Sequence, residues 1–255
     1  MKSRKMFFQT LLSVALAFVV TACATHYPAH ETAPVVANPR TYLSGVCIEM
    51  TRCWPTNHSI NIVCHGHSVV AGYFKTPEVR TFDAYPSLLH RGLCEKFPYA
   101  VINVIVTGIG GEDAESGAKR FYRDVLSLRP EVVTIDYSLN DRRIGLVRAE
   151  NAWRSMIEAA LAAKVKVILL TPTPDQGAKL DDPADPLNQH AAQVRLLAAK
   201  YHVGLVDSIA IFRREIAAGT KLSDLMSQGN HPNRAGHELV TTELLRWFTA
   251  SNRTP

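Results

Sequence analysis

Five short apolar runs alternate along the chain with longer segments whose apolar residues recur at helical spacing. The runs are rich in Val, Ile and Leu and lie at 60–63, 101–106, 132–137, 165–171 and 203–206. The helical segments lie at 85–96, 114–127, 147–163, 187–201 and 234–249. Nearly continuous apolar strands between helices are typical of a parallel sheet that is covered on both faces. Because crossovers between parallel strands are right-handed, the pattern predicts an α/β domain with three layers, α/β/α, and a mostly parallel five-stranded sheet.

The first apolar run ends at a turn that carries a serine. Gly66 interrupts the run, and Ser68 follows two positions later, before another short apolar stretch. Such a turn lies beyond the carboxyl edge of the sheet, where α/β folds bind ligands, and at a helix start whose backbone N–H groups are unpaired. The position favours Ser68 as a nucleophile. From this segment alone, a serine that only caps the helix is an equally good interpretation.

Three later segments bring further polar residues and glycines to strand ends or to the start of the last helix. They are Thr107-Gly-Ile-Gly-Gly111, Ser138-Leu-Asn-Asp141 and Asn230-His-Pro-Asn-Arg-Ala-Gly-His237. The first one lacks the third glycine of the dinucleotide fingerprint G-x-G-x-x-G, because Asp113 stands there. Taken with the first turn, the segments offer serine, glycine, asparagine and histidine in the order of the SGNH (GDSL-type) hydrolases. The chain resembles this family from about position 59 to position 248.

The resemblance implies a flavodoxin-like strand order and a serine ester hydrolase that needs no cofactor. It implies that Ser68 is the nucleophile and that His231 is the general base. The oxyanion hole is then formed by the backbone N–H groups of Ser68 and Gly111 and by the side chain of Asn140, because such donors stabilise the charge that develops during acyl transfer. The implied substrates are acyl esters.

The chain departs from the family pattern at three positions. His67 stands where the family has an aspartate before the serine, Ser138 replaces a glycine, and Gln228 replaces the acid three positions before the histidine. Glutamine cannot carry the charge that stabilises an imidazolium. We therefore expect either a backbone carbonyl or another acid to orient His231, and Asp224 is the nearest upstream carboxylate. The departures also leave open a catalytically inactive SGNH fold that binds carbohydrate or serves as a scaffold in the cell envelope.

The N-terminus has the features of a bacterial lipoprotein signal. A basic head precedes an apolar stretch at 6–20, and Val20-Thr-Ala-Cys23 resembles a lipobox. The stretch is short for a membrane span, so a cleaved signal at 1–22 is the better interpretation, with an ordinary secretory signal as the alternative. We expect lipid on Cys23, a tether and N-terminal extension at 23–57, and the hydrolase domain at 58–251. Ala24 is not the aspartate that favours inner-membrane retention, so we expect an outer-membrane lipoprotein facing the periplasm.

Composition and cysteines add to this picture. The formal net charge of the 255 residues is +5, and three of the basic residues precede Cys23, so nothing points to a nucleic-acid partner. In an oxidising compartment an even number of cysteines suggests disulfides, although four permit three pairings. The simplest pairing joins Cys47 to Cys53 and Cys64 to Cys94. No C-x-x-C pair is present, and we expect no metal site. An envelope location suggests acyl esters of cell-envelope or imported glycans, or of lipids.

Overall fold

The computed structural model describes residues 35–249, which are built around a five-stranded parallel sheet. The strands are Ser59–Gly66 (β1), Val101–Val106 (β2), Val132–Asp136 (β3), Lys166–Leu170 (β4) and Gly204–Val206 (β5). Their order across the sheet is β2-β1-β3-β4-β5, and every neighbouring pair is parallel. The predicted α/β class and the flavodoxin-like order are confirmed. Reversal of the strand order on either side of β1 opens a crevice at the carboxyl end of this strand, where Ser68 follows.

Helices cover both faces of the sheet. They are Ser44–Met50 (α1), Ser68–Ala71 (α2), Tyr85–Lys96 (α3), Ala114–Asp124 (α4), Ser138–Asp141 (α5), Leu146–Ala162 (α6), Pro186–Lys200 (α7), Ser208–Ala217 (α8), Leu222–Leu225 (α9) and Arg234–Leu245 (α10). A short antiparallel pair, Met226–Gln228 (β6) and His231–Pro232 (β7), lies between α9 and α10. The sequence pattern predicted the five long helices α3, α4, α6, α7 and α10 and missed α1, α8 and this hairpin.

Alternate residues of β1 point to opposite faces of the sheet, so one strand serves two apolar layers. Ile60, Ile62 and Cys64 are buried in the layer formed with α1, α3, α8 and α10. Val63 is buried in the other layer, which α4, α6 and α7 complete around Trp153. Packing on both sides fixes the end of β1, from which Ser68 projects.

The folded unit begins before the predicted boundary at position 58. Leu43, Cys47 and Met50 are at most 1% exposed and belong to the core. The Ala37 N–H donates to the Val203 carbonyl at 3.1 Å. The part of the expected tether and extension that lies at 35–57 is therefore packed onto the domain. The expected signal, Cys23 and the remainder of the tether lie outside the described residues. Within 35–249, no helix has both the length and the apolar character of a membrane span.

The disulfide pairing expected from the cysteine count is wrong, because the four cysteines at 47, 53, 64 and 94 are free thiols. Each expected pair would join a buried residue to an exposed one: Cys47 and Cys64 are buried, whereas Cys53 and Cys94 are exposed. Cys64 lies on the central strand β1, and burial raises the pKa of its thiol to about 12. Burial likewise raises the pKa of Cys47 to about 11. Both buried cysteines act as small apolar core residues.

The end of β1 leaves no space for a side chain at Gly66, and this predicts a stability effect. A Cβ atom there would overlap the backbone carbonyl of Asp136, which is its partner in β3, and the side chain of Val70. We expect Gly66→Ala to lower the free energy of unfolding by about 1–3 kcal/mol, as overpacking typically does. Urea unfolding of this variant is the measurement.

Gly45→Ala is the matched control. A Cβ atom at Gly45, in α1, meets nothing within 4 Å. In a helix, alanine is favoured over glycine by about 1 kcal/mol, so this variant should be at least as stable as the parent protein. A Gly66→Ala protein with unchanged stability would show that β1 and β3 are less closely packed than described.

Candidate active site

Ser68 is the first residue of α2 and follows β1 directly through Gly66 and His67. The side chain is largely buried, with 6% of the residue exposed. Its hydroxyl oxygen lies 2.9 Å from Nε2 of His231, a residue 163 positions further along the chain. The structure therefore brings together the serine and histidine that the sequence motifs suggested.

A backbone carbonyl fixes the tautomer of His231. The other ring nitrogen, Nδ1, lies 3.2 Å from the carbonyl oxygen of Phe74. A carbonyl oxygen can only accept, so Nδ1 carries the proton and Nε2 presents a lone pair to Ser68. The Ser68 hydroxyl then donates to Nε2. This arrangement can transfer the hydroxyl proton to the imidazole as the serine oxygen attacks a substrate.

Asp224 does not orient His231, which corrects the triad expectation. Asp224 is exposed on the short helix α9, and among the described residues its carboxylate accepts only from the Ser223 hydroxyl, at 3.4 Å. The Asp224 backbone carbonyl instead accepts from the side chain of Asn233 at 2.8 Å. Seven positions of chain separate Asp224 from His231, and the intervening hairpin directs the carboxylate to the surface.

Gln228, at the position of the family's acid, holds the loop that supplies the carbonyl. Its Oε1 accepts from the backbone N–H of Thr76 at 2.9 Å, and its Nε2 lies 3.2 Å from the Thr76 hydroxyl. Thr76 is two residues after Phe74, whose carbonyl also lies 3.0 Å from the Ser227 hydroxyl. The amide of Gln228 therefore acts on His231 indirectly, by fastening the turn that orients it.

Asn140 and the glycine loop meet at the same edge of the sheet. Asn140 lies in α5 and its Nδ2 donates to the carbonyl of Glu112 at 2.8 Å. The neighbouring Gly111 has a φ of +78°, in the left-handed region that favours glycine. Upstream in the same loop, the Ile109 N–H donates to the Gly66 carbonyl at 3.0 Å. The Asn140 amide has two N–H groups, so a second donor remains for a substrate oxygen.

Two buried charged side chains brace this part of the site. Asp141 accepts from the Ala114 N–H and from the Trp153 indole N–H, both at 2.7 Å, and burial raises its pKa to about 6. The Arg120 guanidinium binds the Glu112 carboxylate at 2.6 Å. The first contact ties α5 to α4 and α6, and the second fastens the loop whose carbonyl accepts from Asn140.

Comparison with known proteins identifies the family. Residues 64–239 match the model of the GDSL-like Lipase/Acylhydrolase family, which is more than half of the chain. The chain belongs to this family. It is therefore a carboxylic ester hydrolase by class.

One curated relative and two solved structures carry acetyl-ester activities in their names. The acetylxylan esterase of Geobacillus stearothermophilus is 25% identical over 162 residues, which cover 59% of this chain and 74% of the relative. A crystal structure of Axe2, an acetylxylan esterase from the same organism, has a TM-score of 0.65 at 22% identity and covers 74% of this chain and 94% of the other. The structure of a two-domain esterase (CEX) active on acetylated mannans has a TM-score of 0.66 at 21% identity, covering 84% of this chain and 55% of that one. This chain thus spans about half the length of the two-domain esterase, and both structures show the shared fold.

Tyr73 forms a wall of the hydrolase site that the motifs did not indicate. Its ring centroid lies 5.9 Å from that of His231. On the other side, a Cβ atom at Gly110 would lie 2.8 Å from the tip of the Tyr73 ring. The phenol therefore spans the distance from the histidine to the loop that carries Gly111. Tyr73 lies outside the family blocks, so its aromatic character suggested a core or pocket-wall position without placing it beside His231.

His65 has a structural role in the hydrolase. Its Nδ1 lies 2.8 Å from the Thr107 hydroxyl, and its Nε2 lies 3.0 Å from the Tyr137 hydroxyl. Burial, with a further contribution from Arg120, lowers the pKa of His65 to about 3, so the ring is neutral. In the described part of the chain, no group of three His, Cys, Asp or Glu side chains is arranged to hold a metal ion.

The surroundings of His231 predict how activity depends on the missing acid and on pH. Burial lowers the pKa of His231, the Phe74 carbonyl opposes this effect, and His67 adds to it. A general base acts when it is unprotonated, so kcat/KM should fall with decreasing pH only below the ordinary histidine pKa of about 6.5. Because Asp224 is remote, Asp224→Asn should leave both kcat and this acidic limb unchanged. Hydrolysis of p-nitrophenyl acetate across pH by the two proteins is the measurement.

A large loss of kcat in Asp224→Asn would restore the triad interpretation, since exchange of an orienting aspartate for asparagine can cost about ten-thousand-fold. Gln228→Ala is the informative comparison. It removes the amide that holds Thr76, so it should lower kcat even though the side chain does not touch His231.

Proposed function

We propose that this esterase removes acetyl groups from glycans, with Ser68 as the nucleophile and His231 as the general base. The observation that carries the proposal is the 2.9 Å hydrogen bond between the two side chains, with the far nitrogen of the imidazole held by the Phe74 carbonyl. The bond joins the first and last blocks of the family at the carboxyl edge of the sheet.

The proposed reaction proceeds in two half-reactions. The Ser68 oxygen attacks the ester carbonyl carbon while its proton passes to Nε2 of His231. The tetrahedral oxyanion is held by the backbone N–H groups of Ser68 and Gly111 and by the Asn140 amide. His231 then gives this proton to the ester oxygen of the sugar as its bond to the acetyl carbon breaks, so the sugar departs with a free hydroxyl and leaves an acetyl–serine ester. Water enters, gives its proton to His231 and attacks the acetyl carbon, and the return of that proton to Ser68 releases acetate.

In the proposed reaction His231 acts as the base without a carboxylate partner. The Phe74 carbonyl holds the tautomer and places the negative end of a dipole against Nδ1. It carries no full charge, so the imidazolium is stabilised less than in a triad. The alkoxide of an ester is a better leaving group than the unprotonated amide nitrogen of a peptide, so ester cleavage depends less on proton donation by the histidine.

Tyr73 supports a short acyl group. Its ring lies between His231 and Gly110, beside the loop that supplies the proposed oxyanion donor of Gly111. We expect an aromatic wall beside the nucleophile to favour a short acyl group over a long chain. The names of the relatives also support an acetyl substrate, since they refer to acetylxylan and to acetylated mannans.

A covalent probe and an acyl series test the proposal. A fluorophosphonate should label the wild-type protein and Ser223→Ala, in which an exposed serine is removed, but neither Ser68→Ala nor His231→Ala. Among p-nitrophenyl esters, acetate should have a higher kcat/KM than octanoate, and acetylated xylo-oligosaccharides should release acetate. Labelling that persists in Ser68→Ala would refute the nucleophile, whereas a preference for octanoate would refute only the acetyl assignment.

We further propose that the enzyme is an outer-membrane lipoprotein that faces the periplasm, with lipid on Cys23. The support is the basic head, the apolar stretch and the lipobox-like Val20-Thr-Ala-Cys23 of the sequence. In this location the enzyme would meet acetylated glycans of the envelope or glycans taken up from outside.

Expression in a Gram-negative host with radiolabelled palmitate tests the anchor. The wild-type protein should incorporate the label and sediment with outer membranes, and Cys23→Ser should do neither. Cys53→Ser is the control, because it removes an exposed cysteine of the folded domain and should leave lipidation unchanged. A wild-type protein without label would exclude the lipobox interpretation.

A further inference from the structure

Ser68 is flanked by a second histidine that the proposed mechanism does not use. His67 immediately precedes it, is 1% exposed, and has its Nδ1 3.4 Å from the Ser68 hydroxyl oxygen. The same Nδ1 accepts from the backbone N–H of Val69 at 3.3 Å, as the N-cap of α2. Because Val69 donates, Nδ1 is an acceptor and the proton of a neutral ring is on Nε2.

That Nε2 faces a buried carboxylate. Asp136, at the end of β3, is 2% exposed, and its Oδ1 lies 3.4 Å from Nε2 of His67. Among the described residues neither of these two atoms has a hydrogen-bond partner, so the 3.4 Å approach is a close polar contact and not a hydrogen bond. Asp136, His67 and Ser68 therefore follow one another in the order carboxylate, imidazole, hydroxyl.

Other nearby charged groups already have partners. The Arg120 guanidinium is bound to Glu112, Asp124 and the Tyr137 hydroxyl. The Asp141 carboxylate accepts from Ala114 and Trp153. A buried carboxylate without a partner is costly, and His67 is the group in the described structure that is placed to reduce this cost for Asp136.

We propose that Asp136 and His67 form a positioning pair for Ser68 that supplies part of what the missing acid of His231 would supply. The inference rests on the proposed role of Ser68 as nucleophile. His67 fixes the start of α2 through Val69 and so aims the hydroxyl, while the Asp136 carboxylate beside it offsets the effect by which His67 disfavours an imidazolium on His231. The pair keeps its own proton on His67 Nε2. The one proton that moves passes from Ser68 to His231.

The pair also accounts for the departure at position 67. The family's aspartate before the serine would place a carboxylate directly at this turn, against the buried Asp136. In this chain the carboxylate is at Asp136 and an imidazole links it to the serine. The two residues should therefore act together, and the loss of either should remove most of the contribution of both.

A double-mutant cycle on the full-length protein tests the pair. The variants are Asp136→Asn, His67→Asn and their combination, since asparagine keeps the shape of the first side chain and can still cap α2 in place of the second. Each single variant should lower kcat for p-nitrophenyl acetate about tenfold or more, with little change in KM, as expected for groups that assist proton transfer. The fluorophosphonate labelling rate should fall in parallel, and the double variant should lose no more than the worse single.

Thr134→Val is the matched control. Thr134 is buried two residues before Asp136 on the same face of β3, and its hydroxyl does not contact Ser68 or His67. This variant should keep the wild-type kcat and labelling rate. Circular dichroism and thermal unfolding establish that each variant is folded, and if Asp136→Asn does not fold, the rates of His67→Asn alone decide.

The outcomes separate the two proposals. A wild-type protein that neither labels nor hydrolyses the ester refutes the proposed function. If the wild type reacts, folded single variants that label at the wild-type rate refute the positioning pair and leave the proposed function standing. Losses that multiply in the double variant also refute the pair, because they would show two independent effects.

Discussion

The contact between the Phe74 carbonyl and Nδ1 of His231 is the constraint on which the site depends. It sets the tautomer, and the tautomer decides whether Nε2 presents a lone pair or a proton to Ser68. The carbonyl is held by its own turn, which Gln228 anchors through Thr76. Gln228 replaces the family's acid, yet His231 is still oriented, because Gln228 fixes the turn whose Phe74 carbonyl accepts from the imidazole.

The close packing of β1 against β3 determines where the serine projects. Gly66 is paired with Asp136, and the space beside it is filled by the Asp136 carbonyl and Val70. The loop with Gly111 is joined to the same turn through the hydrogen bond from Ile109 to Gly66. The packed core therefore fixes the positions of both the nucleophile and the proposed oxyanion donor. Catalysis requires these groups to be held within a fraction of an ångström.

The hydrophobic pattern was sufficient for the three-layer α/β class, because the apolar strands are buried on both faces and the long helices are amphipathic; the strand order came from the family resemblance. It missed α1, which has seven residues, and α8, which begins immediately after β5 with an N-cap from Asp207. Motif spacing placed Ser68 and His231 at one edge, and the structure brings them together. The missing acid led us to expect either a backbone carbonyl or another acid as the orienting group. The sequence could not indicate that the carbonyl belongs to Phe74, because a backbone carbonyl has no residue type, and proximity along the chain suggested Asp224 in error. The cysteine count likewise gave no information on burial.

The charge around Ser68 explains how a weakly supported histidine can still serve as a base. Burial lowers the pKa of His231, so the ring stays unprotonated to lower pH but accepts a proton less readily. A negative charge near the nucleophile would offset that weakness without raising the solvent exposure of the ring. The Asp136 carboxylate lies 3.4 Å from one ring nitrogen of His67, whose other ring nitrogen lies 3.4 Å from the Ser68 hydroxyl. From this position the Asp136 carboxylate can favour the imidazolium of His231 in the transition state. Nδ1 of His231 meanwhile keeps its hydrogen bond to the Phe74 carbonyl.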